Sequence, residues 1–335
     1  MLKRHQCQLN QYIKRMASNY QKKERAKAIK LISDGNPIFY SSRAGMKFLG
    51  TERDFVLIEN LKNLFEPIRK DVVEYFKRNQ ISWWGGFKPT GHVLSSQIAC
   101  LNHLFLIRND KDAVLSILKN VSSEFVDVMT IDTDRVYPAF IQFESVSDHD
   151  YLNEGLPTRG NNCTSIDALI YAVHKDGSKW IIPIEWKYTE HYNNQNKANE
   201  GFKKDPINCK GEVRKRRYTQ LINTSNQVKG VNHICYYYEP FYQLMRQTLW
   251  AEQMVTNKDN ERLKGDNFLH IHVIPSENTD LLDKEYKCSG KNMENTWREL
   301  LQDQSKYFII TPKQLLSGLN NVQYKNLFDY LLIRY

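Results

Sequence analysis

Near the start of the chain apolar side chains recur at helical spacing. Leu9, Ile13, Met16 and Tyr20 share one face of a basic helix predicted over 6–33, which Gly35-Asn36-Pro37 ends. From Asp54, the positions Phe55, Ile58, Leu61 and Phe65 predict a second helix. Pro67 kinks or restarts it, and Val72, Tyr75 and Phe76 continue its apolar face. Gly85, Gly86, Pro89 and Gly91 mark 82–91 as a loop. Ser95 or Ser96 can cap a helix reaching about Ile107, and another spans 110–118. The character then changes. Residues 139–144 are strand-like, 145–162 form a polar loop, and 165–173 and 179–188 are two strong strand patterns. An irregular polar stretch reaches Gly211. Helical signal returns over 212–222 and after Pro240, 267–274 is one more β-branched apolar run, and the tail from Met293 is helical in pieces. The order predicts an α/β fold with a mixed sheet.

Composition narrows the function classes. Of 335 residues, 41% are hydrophobic and 25% charged, the balance of a globular, water-soluble protein rather than a disordered one. No apolar run approaches the roughly 20 residues of a bilayer crossing. Lys3, Arg4, Gln8, Asn10 and Lys14 interrupt the first 16 residues, which therefore hold no apolar core of a secretory signal. The expected location is the cytoplasm, with no membrane partner. The net charge of +9 is concentrated: nine basic residues and one acid lie in 1–30, and nine basic residues against four acids lie in 187–217. Such concentration points to a polyanion, although a lone charge run is more often a solvated face. Six cysteines, at 7, 100, 163, 209, 235 and 288, form no CxxC pair, so they read as reduced structural thiols rather than a zinc or redox motif.

The segment TSIDALIYAVHKDGSKWIIPIEWKY, 164–188, carries the chemistry. Strand side chains alternate faces, so Glu185 and Lys187 point one way while Ile182, Ile184 and Trp186 point the other. A two-residue Asp176-Gly177 turn would set Asp167 opposite Trp186. A three-residue turn with Gly177 in the left-handed position sets Asp167 opposite Glu185, with β-carbons about 5 Å apart. The second register is the expected one, because only it gathers two carboxylates and an ammonium on one face. Paired carboxylates repel, and a divalent cation relieves that repulsion. Mg²⁺ keeps several waters, accepts phosphate oxygens, lowers the pKa of a bound water and offsets charge developing on phosphorus. Lys187 could orient or deprotonate the water or stabilise the pentavalent phosphate, and the Trp186 carbonyl could add a ligand. A salt-bridged hairpin face is the plain structural alternative.

Asp167 followed by Glu185-Trp186-Lys187 at the end of a hydrophobic strand resembles the D…(D/E)xK motif of the PD-(D/E)XK nuclease superfamily. The blocks PTGHVLSSQIACLNHL (89–104), RGNNCTSIDALI (159–170), IEWKYTEHY (184–192) and YQLMRQ (242–247) are similar to a bacterial restriction-endonuclease-like family, and together cover most of 80–275. Ile166 stands where the superfamily name has Pro. The resemblance implies a core of helix, three-stranded antiparallel sheet, helix and strand over 81–276; the flanking basic helical N-terminal extension (1–80) and helical C-terminal extension (277–335) lie outside it. It implies that Asp167 and Glu185 bind Mg²⁺, with Mn²⁺ as a substitute, and that Lys187 assists hydrolysis. It also implies that Gln97, on the first helix, reaches the metal site, with a helix-capping or buried amide as the plain alternative.

Further candidates follow from residue type and place. Arg159 beside Gly160 could meet a phosphate, and Arg214, Lys215, Arg216 and Arg217 at a helix start could contact the backbone. Gln243 and Arg246, one turn apart, could contact the scissile strand, with an exposed polar face as the alternative. Glu154 reads as a surface loop charge, and His270 and His272 as core or surface histidines. The expected function is a Mg²⁺-dependent DNA endonuclease of restriction type II, acting as a homodimer on double-stranded DNA. The alternatives are a binding protein on the same fold without catalysis, a repair or non-specific nuclease, and a carbohydrate hydrolase, against which the basic balance and the adjacent lysine weigh.

Overall fold

The computed structural model describes residues 18–335, apart from 49, 85, 87, 135–136, 161–162 and 231–233. Among the described residues, ten helices surround a seven-stranded mixed sheet. The sheet is built from β1 (Phe125–Met129), β2 (Ile141–Ser145), β3 (Ile166–His174), β4 (Lys179–Trp186), β5 (Asn267–Phe268), β6 (His270–Val273) and β7 (Tyr307–Ile310). β1 and β2 both pair antiparallel with β3, along different halves of it, and β3 pairs antiparallel with β4. β5 and β6 then run parallel to β4, and β7 runs parallel to β6.

The β3–β4 hairpin fixes the register. Ala168 faces Ile184 and Tyr171 faces Ile181. The turn is the three-residue form: His174 N–H donates to the Ser178 carbonyl and Gly177 N–H to the His174 carbonyl, each at 2.9 Å. Gly177 has φ +84°, a conformation that glycine adopts without the Cβ penalty. Asp176 Oδ1 accepts from the Ser178 N–H at 2.8 Å and closes the turn locally.

Alternation sends the two faces of the hairpin to two cores. Ala168, Ile170, Ile182, Ile184 and Trp186 pack with the helix α3 (Ser96–Leu104), whose Ile98 and Leu101 are fully buried. Leu169, Tyr171 and Ile181 pack on the other face with α6 (Phe241–Thr256), through Leu244, Met245 and Leu249. Ser95 caps α3, and the Asp110 side chain caps α4 (Lys111–Lys119).

The first core runs from one end of the described chain to the other. It takes in Tyr20 and Ala28 of α1 (Asn19–Ser33), Val72 and Phe76 of α2 (Arg69–Arg78), and Leu327 and Tyr330 of α10 (Lys325–Arg334). The last turn is tied in by polar contacts as well. Arg334, 1% exposed, donates to Asn63 Oδ1 and the Val93 carbonyl at 2.8 and 2.7 Å. The Tyr335 ring packs 4.7 Å from His103, which lies 4.7 Å from Trp186.

Several sequence expectations need correction. Residues 54–65 are not one helix, because Val56 and Leu57 pair with the strand-like segment at 91–92, leaving only short 3₁₀ turns before α2. β1 falls where no strand was expected, and the C-terminal tail contributes β7 rather than helix alone. Cys235 and Cys288 form a disulfide with Cα atoms 5.3 Å apart, so these two are not reduced thiols. The first half of the predicted N-terminal basic helix lies outside the described residues. No helix among the described residues is long and apolar enough to cross a membrane.

Candidate active site

The hairpin register sets Asp167 and Glu185 on the face covered by α6, and Lys187 follows two residues later. Glu185 and Lys187 are 2% and 4% exposed. Lys187 Nζ lies 2.5 Å from Glu185 Oε1 and 2.5 Å from Gln243 Oε1. Gln243 Nε2 donates back to Glu185 Oε1 at 2.7 Å, so its amide bridges the ion pair. Gln247, one turn further along α6, donates to Glu185 Oε2. Burial works against the Lys187 ammonium, but Glu185, helped by Tyr192, Glu190 and Asp167, outweighs it and holds the pKa well above the ordinary lysine value.

Asp167 is in a different situation. Its Oδ2 accepts the Trp186 N–H at 2.7 Å. Burial raises its pKa far above the ordinary carboxylate range, and the Glu185 and Glu144 charges add to the rise more than Lys187 and the N–H bond offset. Glu144 is a third acid that the sequence reading did not single out. It sits near the end of β2 with φ +49°, buried, and accepts from Gln97 Nε2 at 2.6 Å and Ser165 Oγ at 2.9 Å. Burial and the Glu185 charge raise its pKa too. Gln97 thus touches the acidic group through Glu144, while its Oε1 accepts the Trp84 N–H at 3.0 Å. A cavity of about 530 Å³ opens onto Asp167, Glu144, Gln97, Gln243, Gln247 and Arg246.

Other candidates lie elsewhere or do something else. Glu154 is not a surface charge. Its side chain is 3% exposed, pairs with Arg246 Nε at 2.9 Å, and accepts from Tyr218 OH and Thr164 Oγ1. Burial alone would raise its pKa, but Arg246 and these hydrogen bonds bring it below the ordinary value. Arg246 is therefore anchored at the cavity wall, and not on an exposed polar face. Arg159, expected at a phosphate, turns inward and donates to the Phe143 and Glu144 carbonyls and to Tyr75 OH.

On α5 (Lys210–Thr224), Arg214 pairs with Glu200 at 2.9 Å and Lys215 with Glu212 at 2.7 Å. Arg216 is exposed and reaches the Ile207 carbonyl, and the Arg217 carbonyl accepts from Asn153. The Trp186 side chain is buried on the opposite face, as the alternation requires. His270 and His272 are core residues. Burial and the Lys187 charge push His270 down to about 3 and His272 well below its ordinary value, so both are neutral.

Among the described residues, no three His, Cys, Asp or Glu side chains gather closely enough to hold an ion by themselves. The donors that do converge are hard carboxylate oxygens. Asp167, lacking a direct cationic partner among its hydrogen bonds, is held in a form that a divalent cation would relieve. That donor set fits Mg²⁺, which takes one or two carboxylates and keeps waters for the remaining positions.

The class to which this chain belongs is that of the restriction endonucleases, enzymes that hydrolyse DNA phosphodiesters. The model of one such family matches residues 38–335, and the chain is a member of that family, described as "Restriction Endonuclease associating with ARP". No curated protein and no solved structure matches it.

Proposed function

We propose that the protein is a Mg²⁺-dependent DNA endonuclease of type II restriction character, acting as a homodimer on duplex DNA, with 81–276 as its nuclease core. The observation that carries this reading is the convergence of Asp167, Glu185 and Lys187 from one hairpin, with Asp167 at the cavity wall and the Glu185–Lys187 pair buried beside it. Asp167 and Glu185, with the Trp186 carbonyl, would hold the ion, and Glu144 would add negative charge beside it. When bound, the ion supplies an acidified water and offsets charge on the phosphate.

The residues of the chain do the rest. Gln243 and Gln247 hold the Glu185 carboxylate at both oxygens and fix its orientation. Gln97 and Ser165 do the same for Glu144. Lys187, whose pKa is raised, serves as an ammonium that donates to a phosphate oxygen, and not as a base that takes a proton from water. Arg246, locked by Glu154, presents a fixed cation to the incoming phosphate. The association with ARP in the family's description extends to this chain as part of the same proposal.

Incubation with plasmid DNA tests the reading. Discrete fragments with Mg²⁺ and none with EDTA are expected, and Lys187→Ala should abolish cutting while DNA binding persists. A smear would favour a non-specific nuclease. Undiminished cutting by Lys187→Ala would refute the assignment of the site.

A further inference from the structure

A second cavity, of about 1400 Å³, adjoins the first, and Trp84 and Gly160 line both. The close approach at Gly160 is obligatory: it has φ +73°, and a β-carbon there would stand 2.6 Å from the Ser82 carbonyl oxygen. The two cavities differ in charge. Among the described lining residues, Glu144, Asp167 and Glu190 face Arg246 in the first, whereas Lys62, Arg69, Lys77 and Lys88 face only Glu59 in the second. Glu59 is already paired with Lys62 at 2.7 Å. Lys77 and Lys88 are exposed and have no carboxylate partner among the described residues.

Arg69 is fixed by its Nε bond to the Leu64 carbonyl and by stacking 3.8 Å over the Tyr40 ring. Its buried Nη2 has no hydrogen-bond partner among the described residues. The wall is also aromatic. Trp83 stacks on Phe76 at 3.8 Å, and Trp84 is 47% exposed at the junction of the two cavities.

We infer that this second cavity binds an unpaired stretch of the DNA substrate next to the phosphate being cut. The inference rests on the nuclease reading above and extends it to substrate form. Cations without acidic partners meet a phosphate backbone. The exposed Trp84 ring needs a free base face, which a duplex keeps covered by its own stacking. The volume exceeds the roughly 300–1,000 Å³ of small-molecule pockets, so the occupant is longer than a single nucleotide.

The test uses the full chain in EDTA, so that no strand is cut, and compares a blunt duplex with the same duplex carrying a short unpaired tail with 2-aminopurine. The tail should tighten binding between about fivefold and about a hundredfold, the range that base–aromatic stacking gives. The 2-aminopurine emission should fall on binding. Trp84→Ala should remove both effects, and Trp84→Phe should keep most of each. Lys77→Ala combined with Lys88→Ala should shrink the gain and flatten its salt dependence. A tail that adds nothing, or a gain that both Trp84→Ala and the double lysine variant leave intact, overturns the inference. Plasmid cleavage with Mg²⁺ is read separately. Cutting without tail preference leaves the nuclease reading standing, and tail preference without any cutting refutes only the nuclease reading.

Discussion

Replacing Asp167 by asparagine should make the folded protein more stable and the enzyme inactive. The change keeps the shape, and an amide oxygen can still accept the Trp186 N–H that Asp167 Oδ2 takes at 2.7 Å. What disappears is a carboxylate that burial and the neighbouring Glu185 and Glu144 push to a high pKa, so that in the folded state it must either keep a proton or, above neutral pH, carry its charge beside theirs. Two unit charges about 5 Å apart repel by about 3 kcal/mol at an effective dielectric of about 20, and by about 1 kcal/mol in bulk water. Asp167 opens onto the cavity, so the gain should lie toward the lower end, about 1–2 kcal/mol. For a chain of 335 residues that corresponds to a rise in Tm of about 1–3 °C. Thermal unfolding in EDTA above neutral pH measures the first effect, and plasmid cleavage with Mg²⁺ measures the second. If the trio were a salt-bridged hairpin face, the substitution would remove an attraction and Tm would fall. A fall in Tm, or cleavage that survives the change, would refute the reasoning.

Four further outcomes follow from the same geometry. Raised pKa values at Asp167 and Glu144 mean that the folded state holds protons that the unfolded chain has released, so without divalent ions stability should decline as pH climbs from the ordinary carboxylate range through these raised values. Urea unfolding in EDTA across pH checks this, and the opposite slope would count against the assigned shifts. Mg²⁺ should compete with those protons, binding more tightly at higher pH and releasing protons on calorimetric titration, whereas pH-independent affinity would argue for a site elsewhere. Gln247→Leu leaves Glu185 Oε2 buried without its donor and should cost about 1–3 kcal/mol by denaturant titration. Gly211→Ala places a β-carbon 1.9 Å from the Ala198 carbonyl oxygen and should cost about 1–3 kcal/mol, with an unchanged midpoint contradicting the packing of α5 on 197–199.

The hairpin was legible because its information is local. Period-2 patterning set the faces, and a single glycine decided between two registers that differ by one residue. The cap of α3 was legible for the same reason. What the sequence concealed was contact between distant segments. Glu144 joins the acidic group only because β2 pairs with β3, and nothing in the stretch 141–145 announces which strand it will meet. Glu154 looked like a loop charge because its partner, Arg246, lies 92 residues away. The apolar spacing at 54–65 imitated a helix, yet Leu57 N–H bonds to the Gly91 carbonyl, a strand-like commitment that propensity cannot anticipate. The Cys235–Cys288 pairing, across 53 residues, was hidden in the same way.

The anchoring of Arg334 and Tyr335 has a bearing on synthesis. Every side chain assigned to the acidic cleft has been translated once residue 247 is in place, yet the floor beneath Trp186 still lacks the aromatic ring and guanidinium that arrive with the final turn. A chain cut short before Arg334 would carry the acidic group and Lys187 on an unfinished support.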